Sequence, residues 1–147
     1  MTKIFIPSSK AQNGFTLLEV LVTMVVMALG LLGYAGLQVA SLKNSASAYQ
    51  RSQATILAYD MIDRMRANRI QAVAGVYNIA IGATPGGAGI AGADLVDWKA
   101  LVGNALPGGD AGINVDGSGN ALITIQWADK RDRSASANST FNTQTVL

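Results

Sequence analysis

The chain of 147 residues has room for one domain and an appendage. Its net charge is +2, but Lys3 and Lys10 are two of the eleven basic residues, so residues 15–147 hold nine basic and nine acidic side chains. That balance argues against a nucleic-acid partner. The lack of Cys and His excludes thiol catalysis, a Ser–His pair, imidazole metal ligation and disulfides. We therefore predict no enzyme activity, no cofactor and no metal site.

The N-terminal region combines a polar leader with a long apolar run. Residues 1–14 carry Lys3 and Lys10, and residues 20–37 form an uncharged stretch of 18 residues. As a helix, this stretch spans about 27 Å, close to the ~30 Å hydrocarbon core of a bilayer. The two lysines favour a cytoplasmic N-terminus. An ordinary signal peptide cleaved near Ala40 and a plain signal anchor are alternatives, although the run exceeds a typical signal-peptide core of about 7–15 residues.

One acidic residue, Glu19, lies at the edge of the apolar run. A carboxylate carried into a bilayer costs up to a few kcal/mol and usually has a partner. Thr16-Leu-Leu-Glu19 also fits a capping box, in which the side chains of the first turn satisfy free N–H groups of the helix. These four residues alone leave a local capping role and an intermolecular role both open.

The segment from Lys10 to Val20, KAQNGFTLLEV, resembles the class III signal sequence of type IV prepilins. The resemblance implies cleavage between Gly14 and Phe15 by a prepilin peptidase and N-methylation of Phe15. It also implies a role for Glu19 in subunit assembly. In a filament of parallel helices, Glu19 can meet the new Phe15 amine of a neighbour. Because an unmatched charge in a low dielectric is penalised, this pair would set the register between subunits.

The helical pattern continues past the apolar run, since residues 41–69 contain neither Pro nor Gly. Leu57, Met61 and Met65 recur every four residues and indicate one apolar face. We predict one helix over about residues 15–69, about 80 Å long. Residues 15–40 would form its transmembrane and assembly part, and residues 41–69 its amphipathic outer half.

The end of this helix carries a second resemblance. Ala58–Arg69, AYDMIDRMRANR, is similar to the corresponding segment of PilV-type minor pilins, as are Leu106–Ala111 and Thr124–Trp127. The resemblance implies a subunit recruited to type IV pili that helps initiate or modify them. Its acids and bases are expected to form structural ion pairs on a solvated helix end rather than a ligand site. They are Asp60, Asp63, Arg64 and Arg66.

Residues 70–147 are expected to form an αβ loop and a small antiparallel sheet. Gly82–Gly92 is a loop by composition, and its G-x-G-x-x-G spacing lacks the βαβ context of a dinucleotide site. Asp94 is predicted to cap a short helix over residues 94–102. The residues expected to form the buried face of that helix are Leu95, Trp98, Leu101 and Val102.

Period-two patterns predict the strands. Ile113–Val115 and Leu122–Trp127 flank a Gly-rich turn and indicate a hairpin, and Phe141–Val146 suggests a last strand. Lys130–Arg133 begins a solvated loop. The predicted fold class is α+β and type IV pilin-like, with a long N-terminal helix and a small antiparallel sheet.

Together these features predict a minor pilin. The resemblance implies a single-pass protein of the inner membrane with its C-terminal part in the periplasm, later assembled into the extracellular fimbrium. Its expected partners are the prepilin peptidase, the major pilin, other minor pilins and the pilus assembly machinery, and the pilus would serve twitching motility or cell adhesion. A minor pseudopilin of type II secretion, or a signal-anchored periplasmic binding domain, remain alternatives.

Overall fold

A computed structural model describes residues 15–129 and 138–147. The predicted leader with Gly14, and the charged segment at Lys130–Arg133, lie outside the described residues. The chain divides into two compact units, Met1–Ser41 and Leu42–Leu147. We call the second the C-terminal unit.

Helix α1 spans Leu17–Ala67. The sequence has no proline between Pro7 and Pro85, so nothing interrupts the backbone hydrogen-bond ladder over this length. The predicted end at Arg69 differs in detail, because Asn68 leaves the helical conformation at φ −120° and ψ 46°. A short helix α2, Arg69–Val73, follows it.

The core of the C-terminal unit forms where one face of α1 meets the sheet. The four-residue repeat of Leu57, Met61 and Met65 is buried, as the sequence pattern predicts. The residues that complete the core on the facing elements include Trp98, Ile123, Ile125 and Trp127. Each element has one apolar face, and burying these faces against one another removes them from water.

The sheet has three antiparallel strands in the order β1-β2-β3. They are β1, Asp110–Val115; β2, Asn120–Ala128; and β3, Asn138–Val146. The predicted hairpin is therefore present and the predicted last strand is longer than expected. Asp116 Oδ1 accepts hydrogen bonds from the N–H groups of Ser118 (2.9 Å) and Asn120 (2.8 Å) and holds the β1–β2 turn. Together the long helix and small antiparallel sheet form a type IV pilin-like α+β fold.

Helix α3, Gly89–Ala105, begins five residues before the predicted start at Asp94. Part of the segment predicted as a loop is thus helical, and the helix is preceded by Ala88 rather than capped by Asp94. A Cβ on Gly92 would lie 2.2 Å from the carbonyl oxygen of Gly87, so only glycine allows this helix turn to approach the preceding loop. Leu101, predicted to be buried, is 44% exposed.

Candidate assembly and processing site

The first turn of α1 is capped by its own sequence. Thr16 precedes the helix, and its Oγ1 accepts a hydrogen bond from the backbone N–H of Glu19 at 3.3 Å. Its carbonyl accepts from the N–H groups of Glu19 (3.0 Å) and Val20 (3.3 Å). The hydroxyl half of the capping box is therefore formed, and it uses the backbone of Glu19 rather than its side chain.

The carboxylate of Glu19 has no such role. It makes no hydrogen bond or ion pair with the part of the chain that the structure describes, and the residue is exposed. Its position in the first turn is favourable for a negative charge because of the helix dipole. Capping thus accounts for the backbone of Glu19 but leaves its charge available to a partner.

The surface of α1 around Glu19 is apolar and uncovered. Every residue from Phe15 to Ala46 is exposed, and Leu17 and Leu37 are 91% and 72% exposed. Helix α1 is long and apolar enough to cross a membrane, and its most apolar stretch has no buried residue. Exposed apolar surface of this extent is stable only against lipid or other protein.

Of the two residues expected at the cleavage point, the structure describes only Phe15, which is 83% exposed and lies just before the helix. Gly14 falls outside the described residues. The structure therefore gives the position of the mature N-terminus expected after cleavage.

The predicted charged residues near the end of α1 occur in two groups. Arg64 Nε lies 2.9 Å from Asp60 Oδ2, and Arg64 NH1 lies 3.2 Å from Asp94 Oδ1 on α3. Arg66 NH1 lies 3.4 Å from Asp63 Oδ1 on the exposed face. Burial acts to lower the pKa of Arg64, but the two carboxylates outweigh it and raise that pKa.

Tyr77 extends the Arg64 group into the core. Its hydroxyl donates to Asp94 Oδ2 at 2.7 Å and accepts from Asn68 Nδ2 at 3.2 Å. Burial and the bond to Asp94 raise the pKa of Tyr77. Asp94 was expected to cap a helix, and the sequence carries no signal for this network, because Asp94 and Arg64 are 30 residues apart in the chain.

A second group that the sequence analysis missed centres on Lys99. Its Nζ lies 2.8 Å from Asp110 Oδ1 and donates to the carbonyls of Ala83 (2.6 Å) and Ala80 (3.3 Å). Asp110 also accepts from the N–H of Gly82. Burial acts to raise the pKa of Asp110, but the bonds from Lys99 and the backbone outweigh it and lower that pKa. Lys99 therefore fastens the loop before α3 to the start of β1.

These groups hold neighbouring elements of the C-terminal unit together. Among the described residues, no three or more His, Cys, Asp or Glu side chains are grouped as metal ligands. Two depressions of about 380 and 540 Å³ share Asn114 and Leu122. Asp116, the carboxylate that lines the second of them, is engaged by the amides of its own turn. The exposed apolar helix, with a Glu19 carboxylate that has no partner among the described residues, is the feature that calls for a partner.

Comparison with known protein families gives two matches. Residues 9–35 match the prokaryotic N-terminal methylation motif, and residues 36–84 match the family of type IV pilin Tt1218. No curated protein and no solved structure gives a significant match. The chain thus carries the N-methylation motif of type IV prepilins followed by a type IV pilin family domain. Pilins of this kind are structural proteins, and the apolar helix fits a membrane-anchored pilin.

Proposed function

We propose that this protein is a minor pilin of a type IV pilus, of the PilV type, which is cleaved after Gly14 and joins the filament through α1. The observation that carries the proposal is Glu19: an exposed carboxylate with no partner among the described residues, at the start of an uncovered apolar helix. The methylation motif and the pilin domain support the same reading.

The proposed assembly depends on one pair of charges. Cleavage by the prepilin peptidase leaves an amine on Phe15, which is then N-methylated. In the filament, Glu19 of one subunit pairs with the Phe15 amine of a neighbour. A matched pair in a low-dielectric helix bundle is tolerated, whereas a misaligned subunit leaves two buried charges unpaired at a cost of several kcal/mol. The pair therefore selects the register.

Each part of the chain has its own role in the proposed pilin. In the proposal, residues 1–14 are the cleaved leader, and residues 15–40 hold the subunit in the inner membrane and later in the filament. Residues 41–69 comprise the outer half of α1, which ends at Ala67, and the turn into α2. Residues 70–147 complete a periplasmic head that reaches the cell exterior with the pilus. The partners are the inner membrane, the prepilin peptidase, the assembly machinery, the major pilin and other minor pilins.

The assignment to a minor subunit of the PilV type is supported by sequence. The segment Ala58–Arg69 resembles that group, and it spans the end of α1 and the start of α2 within the pilin-family match. In the structure this segment contributes Met61, Ile62 and Met65 to the core. This segment thus provides both an apolar face that packs into the core and charged side chains that bind the neighbouring elements.

The test is to purify the protein from membranes and from sheared pili and to determine its N-terminal mass. We expect a mature chain that begins with methylated Phe15, present in the pilus fraction at a small fraction of the major subunit. A chain beginning near Ser41 would instead assign an ordinary signal peptide. Absence from sheared pili, with co-purification of a type II secretion complex, would assign the pseudopilin alternative.

A further inference from the structure

The two edges of the sheet differ in how their backbone groups are satisfied. At the outer edge of β1, Ile113 exchanges two backbone hydrogen bonds with Ile79, at 2.8 and 3.0 Å. The side-chain amide of Asn78 donates to the carbonyl of Val115 (3.2 Å) and accepts from its N–H (2.7 Å). The N–H of Ala111 donates to Asp110 Oδ1 at 2.7 Å. The chain closes this edge by itself.

Among the described residues, none covers the outer edge of β3. Leu147 N–H donates to the Gly119 carbonyl, which extends the β2–β3 ladder and fixes the alternation along β3. Because bonding direction alternates along an antiparallel strand, the N–H groups of Thr140, Asn142 and Gln144 point away from β2. In the described part of the chain, β3 has a strand on one side only, and these three N–H groups have no acceptor.

Strand β3 also lacks the features that keep an edge unpaired. It has no charged residue and no proline, and it pairs with β2 in unbroken register over all nine residues from Asn138 to Val146. Soluble proteins usually protect an exposed edge with lysine, proline or a bulge, because a free edge is a template for another strand. A nine-residue edge without any of these is suited to strand addition.

We infer that β3 accepts an extended segment of a neighbouring subunit, which adds a fourth strand to the sheet. The inference rests on the proposed function, which supplies neighbouring subunits. A strand is the occupant because a row of edge N–H and C=O groups is matched by another extended backbone and not by a helix or a side-chain surface. The added strand would be recognised by backbone hydrogen bonds at Thr140, Asn142 and Gln144.

The side chains of β3 define the occupant further. Phe141 is half-buried and packs against the core, whereas Thr140, Asn142 and Gln144 face solvent on the other side of the sheet. An added strand places its own residues beside these in the same alternation. The occupant is therefore a segment that is apolar next to Phe141 and polar next to Asn142.

The experiment uses the full chain in cells that assemble pili. Asn142→Pro removes one edge N–H without removing a bond to β2, and proline is tolerated on an edge strand whose N–H faces solvent. Asn142→Ser changes the side chain and keeps the N–H. We expect Asn142→Ser to be recovered in sheared pili like the parent, and Asn142→Pro to be recovered at least about fivefold less, the factor for one lost hydrogen bond.

Amide hydrogen exchange of the parent protein is the second measurement and needs no substitution. The amides of Thr140, Asn142 and Gln144 should exchange rapidly in the detergent-solubilised monomer and at least about tenfold more slowly in purified filaments. Unchanged exchange in filaments would overturn the inference, and so would full recovery of Asn142→Pro. A detergent-stable dimer that Asn142→Pro dissociates would assign the edge to a second copy and also overturn it. Absence of the parent protein from pili would instead overturn the proposed function, and this inference with it.

Discussion

The hydroxyl of Tyr77 donates a 2.7 Å hydrogen bond to Asp94 Oδ2 and ties the segment after α2 to helix α3. Asp94 is held from its other oxygen by Arg64 of α1, at 3.2 Å. One buried phenol and one carboxylate thus join three segments that lie far apart in the sequence. The chain has no cysteine, so these non-covalent contacts, and not a disulfide, join the three segments.

Replacing Tyr77 with Phe should lower the free energy of unfolding by about 1–3 kcal/mol, because Asn68 and Asp94 each lose a hydrogen-bond partner in a partly buried site. Thermal melts of the C-terminal unit would measure the loss. Tyr59→Phe is the matched control, since Tyr59 lies on the exposed face of α1. Equal melting temperatures for the two variants would show that the network adds nothing to stability.

The C-terminal unit, expressed from Leu42, should fold as a soluble monomer. Its core begins near Ala54, and the exposed apolar run of α1 lies in the other unit. Size-exclusion chromatography with light scattering and a cooperative melt would test this. Aggregation, or a melt without a cooperative transition, would contradict it.

Met61→Asp should cost several kcal/mol, because Met61 is fully buried and the new carboxylate would have no partner there. Against a total stability of about 5 kcal/mol, most of the C-terminal unit would unfold. Ser52→Asp places the same charge on the exposed side of the same helix and should change the melting temperature little. If Met61→Asp melts within about two degrees of the parent, the α1 face is not part of the core.

Glu19→Gln should lower incorporation into pili while leaving the cap of α1 intact, because Thr16 bonds to the backbone of residue 19. Glu19→Ala should behave in the same way and should still insert into the membrane, since removing a charge makes insertion easier. The control that separates helix capping from the charge of Glu19 is Thr16→Ala, which costs about 1 kcal/mol of capping and leaves the charge. Normal amounts of Glu19→Gln in sheared pili would rule out the charge pair.

Asp110 should make the C-terminal unit sensitive to acid. Its pKa is lowered in the folded state, so its contribution is complete above the unfolded value of about 3.9 and is lost as pH falls through the folded value. Asp110→Asn should lower the melting temperature at pH 7 and flatten its decline in acid. The pKa of Asp116 is also lowered in the folded state, so Asp116 contributes to the loss of stability in acid in the same direction. The pH profile of Asp116→Asn is therefore the comparison for that of Asp110→Asn. Parallel pH profiles for parent and Asp110→Asn would contradict the assignment.

Sequence periodicity predicts the faces of this fold but not its side-chain pairings. The repeat of Leu57, Met61 and Met65 identifies the α1 face of the core because a helix face repeats every three to four residues. The same periodicity does not predict where α3 starts. In the structure, its first turns lie close to the preceding loop, at a contact between Gly87 and Gly92 that the sequence pattern does not show. Asp94 has the residue type of a helix cap, and only the packing of α1 against α3 turns it toward Arg64.

At the candidate site, too, the sequence predicts some features, whereas others are seen only in the structure. The position of Glu19 beside an apolar run is visible in the sequence, as is the capping pattern with Thr16. That the cap uses the backbone N–H of Glu19 and not its carboxylate is a matter of geometry, since either half of a capping box can form alone. The bond from Lys99 to Asp110 has no sequence signal, because it depends on how α3 and β1 approach each other.

The last residues of the chain are attached to α1 and its continuation by two arginines. Arg66 donates to Thr145 Oγ1 at 3.1 Å, and Arg69 Nε donates to the Leu147 carbonyl at 2.8 Å. About eighty residues separate these partners along the covalent chain. A tension applied along α1 would therefore reach the last residues of the chain through two guanidinium groups, one on α1 and one on α2, without first stretching the loops, α3 and the hairpin that lie between them.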